Sequence, residues 1–357
     1  MDIQQILKVA VRGGASDIIL KVGALPKFRL NGNLVPLSDG RAVTKEMMAA
    51  WIQNLKPTNE DISLDVVKDI DFSYQTDWGY RFRINIFSQQ RTLGMVLRVV
   101  HGHVKTLEEL QLPQIIAQFS QKKRGLILVT GATGSGKTTT LASIVEKINI
   151  TRPAHIITIE DPIEYTYKEN RSTINQRELG VDTDSFASAL RGAMRQNPDV
   201  ILVGELRDKE TIETALMAAE TGHLVLSTLH TQNATDSLLR IISFFETNKH
   251  MHIKQVLSST LCAVVSQRLI PRMDKRGMVP AIEILVNNEF VRNQILNGEF
   301  ESLPDFIAKG SSTYGMQSFD QSLAVLFQRH IISKETALEN ATNRSDLELK
   351  LGGVVAS

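Results

Sequence analysis

The chain has 357 residues, 42% of them apolar, enough to bury more than one core; domains hold about 50 to 250 residues, so two are expected. Its 40 basic residues against 39 acidic ones give no electrostatic argument for wrapping nucleic acid or lying on an anionic bilayer. A single cysteine, Cys262, excludes internal disulfides and a Cys-rich zinc site, and no apolar run approaches the roughly 18 residues of a membrane-spanning helix, so a cytosolic protein is expected.

The opening MDIQQILKVAVRGG puts Ile3, Ile6, Leu7, Ala10 and Val11 on one helical face. It lacks a basic start and a long apolar run, so it reads as a folded first helix rather than a secretion signal. Two strand-like runs follow, SDIILKV and KFRL, the second turning at Asn31-Gly32 into NLVPL as a hairpin. TKEMMAAWIQNL reads as a helix with Thr44 as its N-cap. YRFRINIFS and TLGMVLRVV then switch to strand patterning. Residues 1–100 are therefore expected as a mixed α/β domain, with 101–123 as a linker that carries no clear strand.

From residue 124 to the end the grammar changes. The strands LILVTG, HIITIE, DVILVGE and HLVLSTLH alternate with the helical stretches KTTTLASIVEKIN, SFASALRGAMRQ and KETIETALMAAETG, which predicts a largely parallel sheet covered by helices. Beyond about Asp236 the pattern reads as helical, through NEFVRNQIL and FDQSLAVLFQRH.

Gly131, Ala132, Thr133, Gly134, Ser135, Gly136, Lys137 and Thr138 spell GATGSGKT, the GxxxxGK[ST] pattern, with Thr139 continuing into the helix. The pattern lies between a predicted strand and a predicted helix, as its mechanism requires. Glycines let backbone N–H groups turn onto phosphates, and the helix N-terminus adds partial positive charge. The chain is thus expected to bind a nucleoside triphosphate, with Lys137 reaching the β- and γ-phosphates and the Thr138 hydroxyl holding Mg²⁺.

Other polar residues collect at the same predicted sheet edge, where ligands of open α/β sheets bind. Glu205 closes the apolar strand VILVGE and is expected near Mg²⁺, acting through a water. Glu160, Asp161 and Glu164 in TIEDPIE are candidates for orienting the attacking water. Pro162 biases Asp161 toward an extended conformation that returns Glu164 over the site, so Glu164 is preferred as the base and Glu160 as a metal-water ligand. His223 and His230 flank one strand, and seven extended residues span about 23 Å, so the two cannot grip one phosphate. His230 stands at the nucleotide end; His223 is expected to serve packing or an interface. Phosphoryl transfer also calls for cationic charge in the transition state. Arg81, Arg83 and Arg98 lie on paired strands of the first domain, and Arg83 and Arg98 are the candidates; a solvated strand face is the alternative.

GATGSGKTTTLAS, TIEDPIEY, NPDVILVGELRD and TGHLVLSTLHT resemble the Walker A, Asp, Walker B and His boxes of the secretion ATPases of type II secretion and type IV pili. SDIILKVGALPKFRLNGNL and RFRINIFSQQ…LRVV are similar to the type IV pilus retraction ATPases, and the likeness covers nearly the whole chain. The resemblance implies a homohexameric ATPase with an N-terminal PAS-like domain, a C-terminal RecA-like domain and ATP with Mg²⁺ as its ligands. It assigns Glu164 as catalytic glutamate, Glu205 to the Walker B box, His223 and His230 to the His box, and Arg83 and Arg98 to the arginine-finger strands. It also implies a pilus platform protein of the inner membrane as partner, with a paralogous retraction ATPase as another, no nucleic acid, and a cytoplasmic location at the pilus base. Extension and type II secretion ATPases carry a four-cysteine insert that one cysteine cannot build, so retraction is preferred over extension. A RecA-like nucleic-acid translocase is the further alternative, disfavoured because QKKR at 121–124 is the one short basic cluster. The family's AIRNLIRE stretch appears as FVRNQILN, which keeps Arg292, Asn293, Ile295 and Leu296 and departs elsewhere, leaving the paralogue open.

Overall fold

Two separate sheets organise the computed structural model, which describes residues 2–30, 32–38, 40–56, 69–100, 104–275 and 277–352. The chain divides into two compact units, Met1–His103 with Glu164–Thr166, and Val104–Ile163 with Tyr167–Ser357.

In the first unit α1 (Ile3–Arg12) leads to β1 (Asp17–Lys21), β2 (Lys27–Leu30) and β3 (Asn33–Pro36). Then come α2 (Lys45–Leu55), β4 (Asp69–Gln75), β5 (Arg81–Gln89) and β6 (Thr92–Val100). The strands form one antiparallel sheet in the order β3-β2-β1-β6-β5-β4. Its buried face receives both helices: Ile3, Ile6 and Leu7 of α1 and Met48, Trp51 and Ile52 of α2 share a core with Phe82, Ile84 and Ile86. Alternation along β5 leaves Arg81, Arg83 and Asn85 on the other face. Thr44 does cap α2, its hydroxyl accepting from Met47 N at 3.2 Å. Leu30 pairs with Asn33, so the predicted hairpin connection has two residues, with Gly32 at φ +85°; Asn31 lies outside the described residues. Sequence reading missed β4, which among the described residues pairs with β5 alone and therefore tolerates Asp69, Asp71 and Gln75 on its outer face.

The second unit begins with α3 (Gln114–Phe119) and β7 (Gly125–Thr130), followed by α4 (Lys137–Thr151), β8 (His155–Glu160), β9 (Thr173–Glu178), α5 (Phe186–Ala193), β10 (Val200–Val203), α6 (Lys209–Glu220) and β11 (Leu224–Leu229). α7 (Ala234–Ser243), α8 (His250–Thr260), β12 (Leu261–Pro271) and β13 (Met278–Val286) come next. Helices α9 (Glu289–Asn297), α10 (Leu303–Lys309), α11 (Ser311–Tyr314), α12 (Phe319–Gln328), α13 (Lys334–Glu339) and α14 (Arg344–Gly352) complete it. The sheet order is β13-β12-β7-β11-β10-β8-β9, and every neighbouring pair is parallel except β12 with β13. Helices cover both faces, and two apolar clusters fill the space between sheet and helices.

Two expectations about this region need correcting. The stretch beyond Asp236 is not helical throughout, because it supplies β12 and β13. β12 lies between β7 and β13 and is buried along most of its length, so its apolar residues do not alternate with polar ones as in a half-exposed strand. The predicted linker is also more than a connector. Leu107, Leu112, Ile116 and Phe119 are buried in the same core as Ile127, Leu141 and Ile144; residues 101–103 lie outside the described ones. Among the described residues no helix is long and apolar enough to cross a membrane.

Candidate nucleotide site

The phosphate-loop pattern occupies the turn between β7 and α4. Gly131 follows a fully buried strand, and its N–H donates to Leu229 O at 3.3 Å, which aligns the loop with the end of β11. Gly134 and Gly136 take φ +79° and +88°, a left-handed backbone that glycine adopts without strain. Around Gly131 and Gly136 there is no space for a Cβ, because Gln267 and Ser135 fill it. Lys137 is 8% exposed, and its ammonium donates to Gly131 O and Ala132 O, each at 2.9 Å. The Ser135 hydroxyl is buried with no hydrogen-bond partner among the described residues. A tight glycine turn, a buried ammonium, an unpaired hydroxyl and the first turn of a 15-residue helix form a donor-rich hollow suited to an anion such as a phosphate chain. Thr138 and Thr139 are half-buried in that first helical turn. Cavities of about 260 Å³ and 490 Å³ flank the loop, the first bounded by Gly136, Thr139 and Arg272 and the second by Thr133, Gln232 and Arg268.

Parallel register carries the other polar residues to the same edge. Val203 of β10 pairs with Ile159 of β8 and with Ser227 of β11, and Thr130 of β7 pairs with Leu229 of β11. The Ser227 and Thr228 hydroxyls donate to Val203 O and Gly204 O at 2.6 and 2.7 Å, which fixes the main chain just before Glu205. Glu205 is 8% exposed and accepts a hydrogen bond from His230 Nε2 at 3.0 Å. His230 Nδ1 lies 3.5 Å from the Thr133 hydroxyl. Burial lowers the His230 pKa, and the nearby charges of Lys137 and Arg207 lower it further. The ring is therefore neutral at pH 7. Because a carboxylate can only accept, Nε2 carries the proton and Nδ1 is left to accept from Thr133. One imidazole thus links the phosphate loop to the second acid.

Arg207 was not singled out from the sequence. It ion-pairs with Glu205 and reaches Asp161 Oδ2 at 3.3 Å, drawing together the ends of β10 and β8. Its position two residues after Glu205 in GELRD was the available signal. Gln267, 3% exposed on β12, was missed for a different reason: it lies 132 residues beyond Ser135, whose carbonyl it touches.

The other predicted residues fall in both units. Glu160 is buried, and its Oε1 accepts from the Thr158 hydroxyl at 2.6 Å and from Gln176 Nε2 at 3.2 Å, so that oxygen faces its own strand and β9. Glu164 is exposed and groups with the first unit, together with Tyr165 and Thr166. Arg83 and Arg98 belong to the first unit and are direct cross-strand neighbours. Arg98 Nε donates to the buried Asp17 at 3.0 Å, whereas Arg83 is 4.0 Å from Asp71. The two guanidiniums face each other across the strands, and each has a carboxylate beside it to offset the like charge. His223, at the far end of β11, makes local contacts among the described residues, at 2.9 Å to Ala218 O and 3.3 Å to Thr221 Oγ1.

Glu283 of β13 holds the segment after His230 from behind, its Oε1 accepting from Ala234 N at the start of α7 at 2.8 Å. Burial raises its pKa, opposed by the Ala234 N–H, the Arg268 charge and Ser266. The native carboxyl therefore binds its proton more tightly than the unfolded one, at about 4.3. Its contribution to stability is complete below that value and is lost as pH rises through the elevated native pKa. In thermal melts, Glu283→Gln should gain on the wild type as pH is raised from about 5 to about 8.

Residues 1–305 match the family described as Type II/IV secretion system protein. The chain is 39% identical over 356 residues to the type IV pilus ATPase PilU of Pseudomonas aeruginosa, covering 99% of this chain and 92% of that protein. It is 40% identical over 346 residues to the type IV pilus retraction ATPase PilT of the same organism, covering 96% and 98%. A crystal structure of the pilus retraction motor PilT with bound ADP superposes with a TM-score of 0.90 at 40% identity, covering 98% of this chain and 99% of that one. That relative holds a nucleotide on the same fold, an N-terminal α/β domain followed by a P-loop ATPase domain. With the family match covering most of the chain and both pilus ATPases aligning along nearly all of it, the chain belongs to the Type II/IV secretion system protein family.

Proposed function

We propose that the chain is an ATPase that drives type IV pilus retraction. The observation that carries this reading is the near-complete superposition on the pilus retraction motor PilT, with a fully formed phosphate loop between β7 and α4. In this reading Gly131 to Gly136 wrap the phosphate chain, and Lys137 exchanges loop carbonyls for β- and γ-phosphate oxygens. Thr138 and Glu205 would hold Mg²⁺, the latter through water, and the ion would neutralise phosphate charge in the transition state. His230, neutral and tied to Thr133, keeps Glu205 in place. Glu164 orients the attacking water, with Glu160 supporting the metal's waters, and Arg83 and Arg98 supply cationic charge from the first unit.

Because Lys137, Thr138 and Glu205 belong to the second unit while Glu164, Arg83 and Arg98 group with the first, turnover is coupled to domain movement. The working assembly is a homohexamer acting on a platform protein of the inner membrane from the cytoplasmic side, with a paralogous retraction ATPase as a second partner. Deleting the gene and imaging the cells tests the direction of the motor. Hyperpiliated cells whose fibres do not retract are expected; bald cells would show an extension motor instead.

A further inference from the structure

β12 carries three consecutive polar residues, Ser266, Gln267 and Arg268, inside an otherwise apolar buried strand. Ser266 meets β7: it pairs with Thr130, whose hydroxyl donates to Ser266 Oγ at 3.0 Å. Arg268 turns to the C-terminal helices, donating to Asn340 O at 3.0 Å and stacking 3.9 Å above the Phe319 ring. Gln267, between them, faces the phosphate loop.

Both ends of its amide are used. Nε2 donates to Ser135 O at 2.6 Å, and Oε1 accepts from the Thr140 hydroxyl at 2.8 Å. These partners bracket Gly136 to Thr139, the end of the loop and the beginning of α4. The main-chain oxygen of Gln267 fills the space a Cβ on Gly131 would need, and its Nε2 stands 2.7 Å from where a Cβ on Gly136 would be. One residue therefore touches the loop at its start, at its end and in the helix that follows. A trans peptide points its C=O and N–H in opposite directions. Holding Ser135 O against β12 turns the Gly136 N–H to the side away from Gln267.

We propose that Gln267 is a positioning residue of the phosphate loop. Its amide selects the peptide orientation in which the loop's N–H groups are available to a triphosphate or diphosphate. This rests on the reading of residues 131–138 as a phosphate cradle. A residue that shapes the cradle without meeting the reacting atoms changes affinity for ATP and ADP alike and leaves the chemical step untouched.

The test uses the full chain with Gln267→Glu, which keeps an acceptor for Thr140 and loses the donor to Ser135 O, and Gln267→Met, which keeps the volume and loses both bonds. Fluorescent ATP and ADP analogues give Kd with Mg²⁺ present, steady-state assays give kcat and KM, and melts without nucleotide report folding. The expected result is a rise of about tenfold or more in both Kd values and in KM, with kcat at saturating ATP within about twofold of wild type. Unchanged Kd values, with or without a lower melting temperature, would make Gln267 a packing residue and overturn the proposal. So would a fall in kcat with KM preserved. If one variant does not fold, the other carries the comparison. Failure of the wild type itself to bind either nucleotide would instead remove the cradle reading.

Discussion

Lys137→Met is expected to abolish measurable nucleotide binding while leaving the fold intact. The ammonium is nearly buried and already makes two charge-assisted hydrogen bonds to Gly131 O and Ala132 O. Hydrogen bonds to a charged group contribute about 1.5 to 3 kcal/mol each, so losing two toward a phosphate weakens binding by roughly a hundredfold to ten-thousandfold. Methionine keeps much of the apolar stem and fills the same space, which separates loss of charge from loss of packing. Titration with a fluorescent nucleotide, beside a thermal melt, checks both halves of the statement. Binding within tenfold of wild type would place the phosphates elsewhere.

Glu164→Gln should give the opposite pattern, with nucleotide affinity kept and turnover lost. A positioned carboxylate that takes a proton from the attacking water contributes about a hundredfold to ten-thousandfold in rate. Glutamine keeps the shape and loses the basicity. Glu164 is exposed, so its replacement removes no buried group. Parallel measurement of Glu160→Gln decides between the two acids. Glu160 is buried with one oxygen committed to Thr158 and Gln176, so its substitution is expected to lower stability as well as rate. Normal turnover by Glu164→Gln would remove Glu164 from the chemistry.

The sequence was most informative where physics is local. The glycine spacing of the loop, the apolar strands before it and the helix after it are set by neighbours in the chain, and the structure places them as the pattern requires. Thr44 as a cap and the two-residue connection between Leu30 and Asn33 are of the same kind. What escaped is set by sheet neighbours distant in the chain. β12 belongs beside β7 only because Leu128 pairs with Val264 and Val129 with Val265, a register that periodicity does not encode. Gln267 lies in a stretch expected to be helical, and its contacts with Ser135 and Thr140 had no local signature. Glu160 was legible as a residue at the strand end, but the direction of its side chain depends on Gln176 of the unrecognised strand β9. Arg83 and Arg98 could be placed on paired strands from sequence, and their direct opposition came from the register of β5 against β6.

Phosphate release by the purified chain, with and without Mg²⁺, in the wild type and in Glu205→Gln, tests the central claim most directly. Magnesium-dependent hydrolysis of ATP by the wild type, lost in the variant while nucleotide still binds, is the result expected if a triphosphate is held on the β7–α4 turn and split at that sheet edge. Equal release by both proteins, or release indifferent to magnesium, would contradict it.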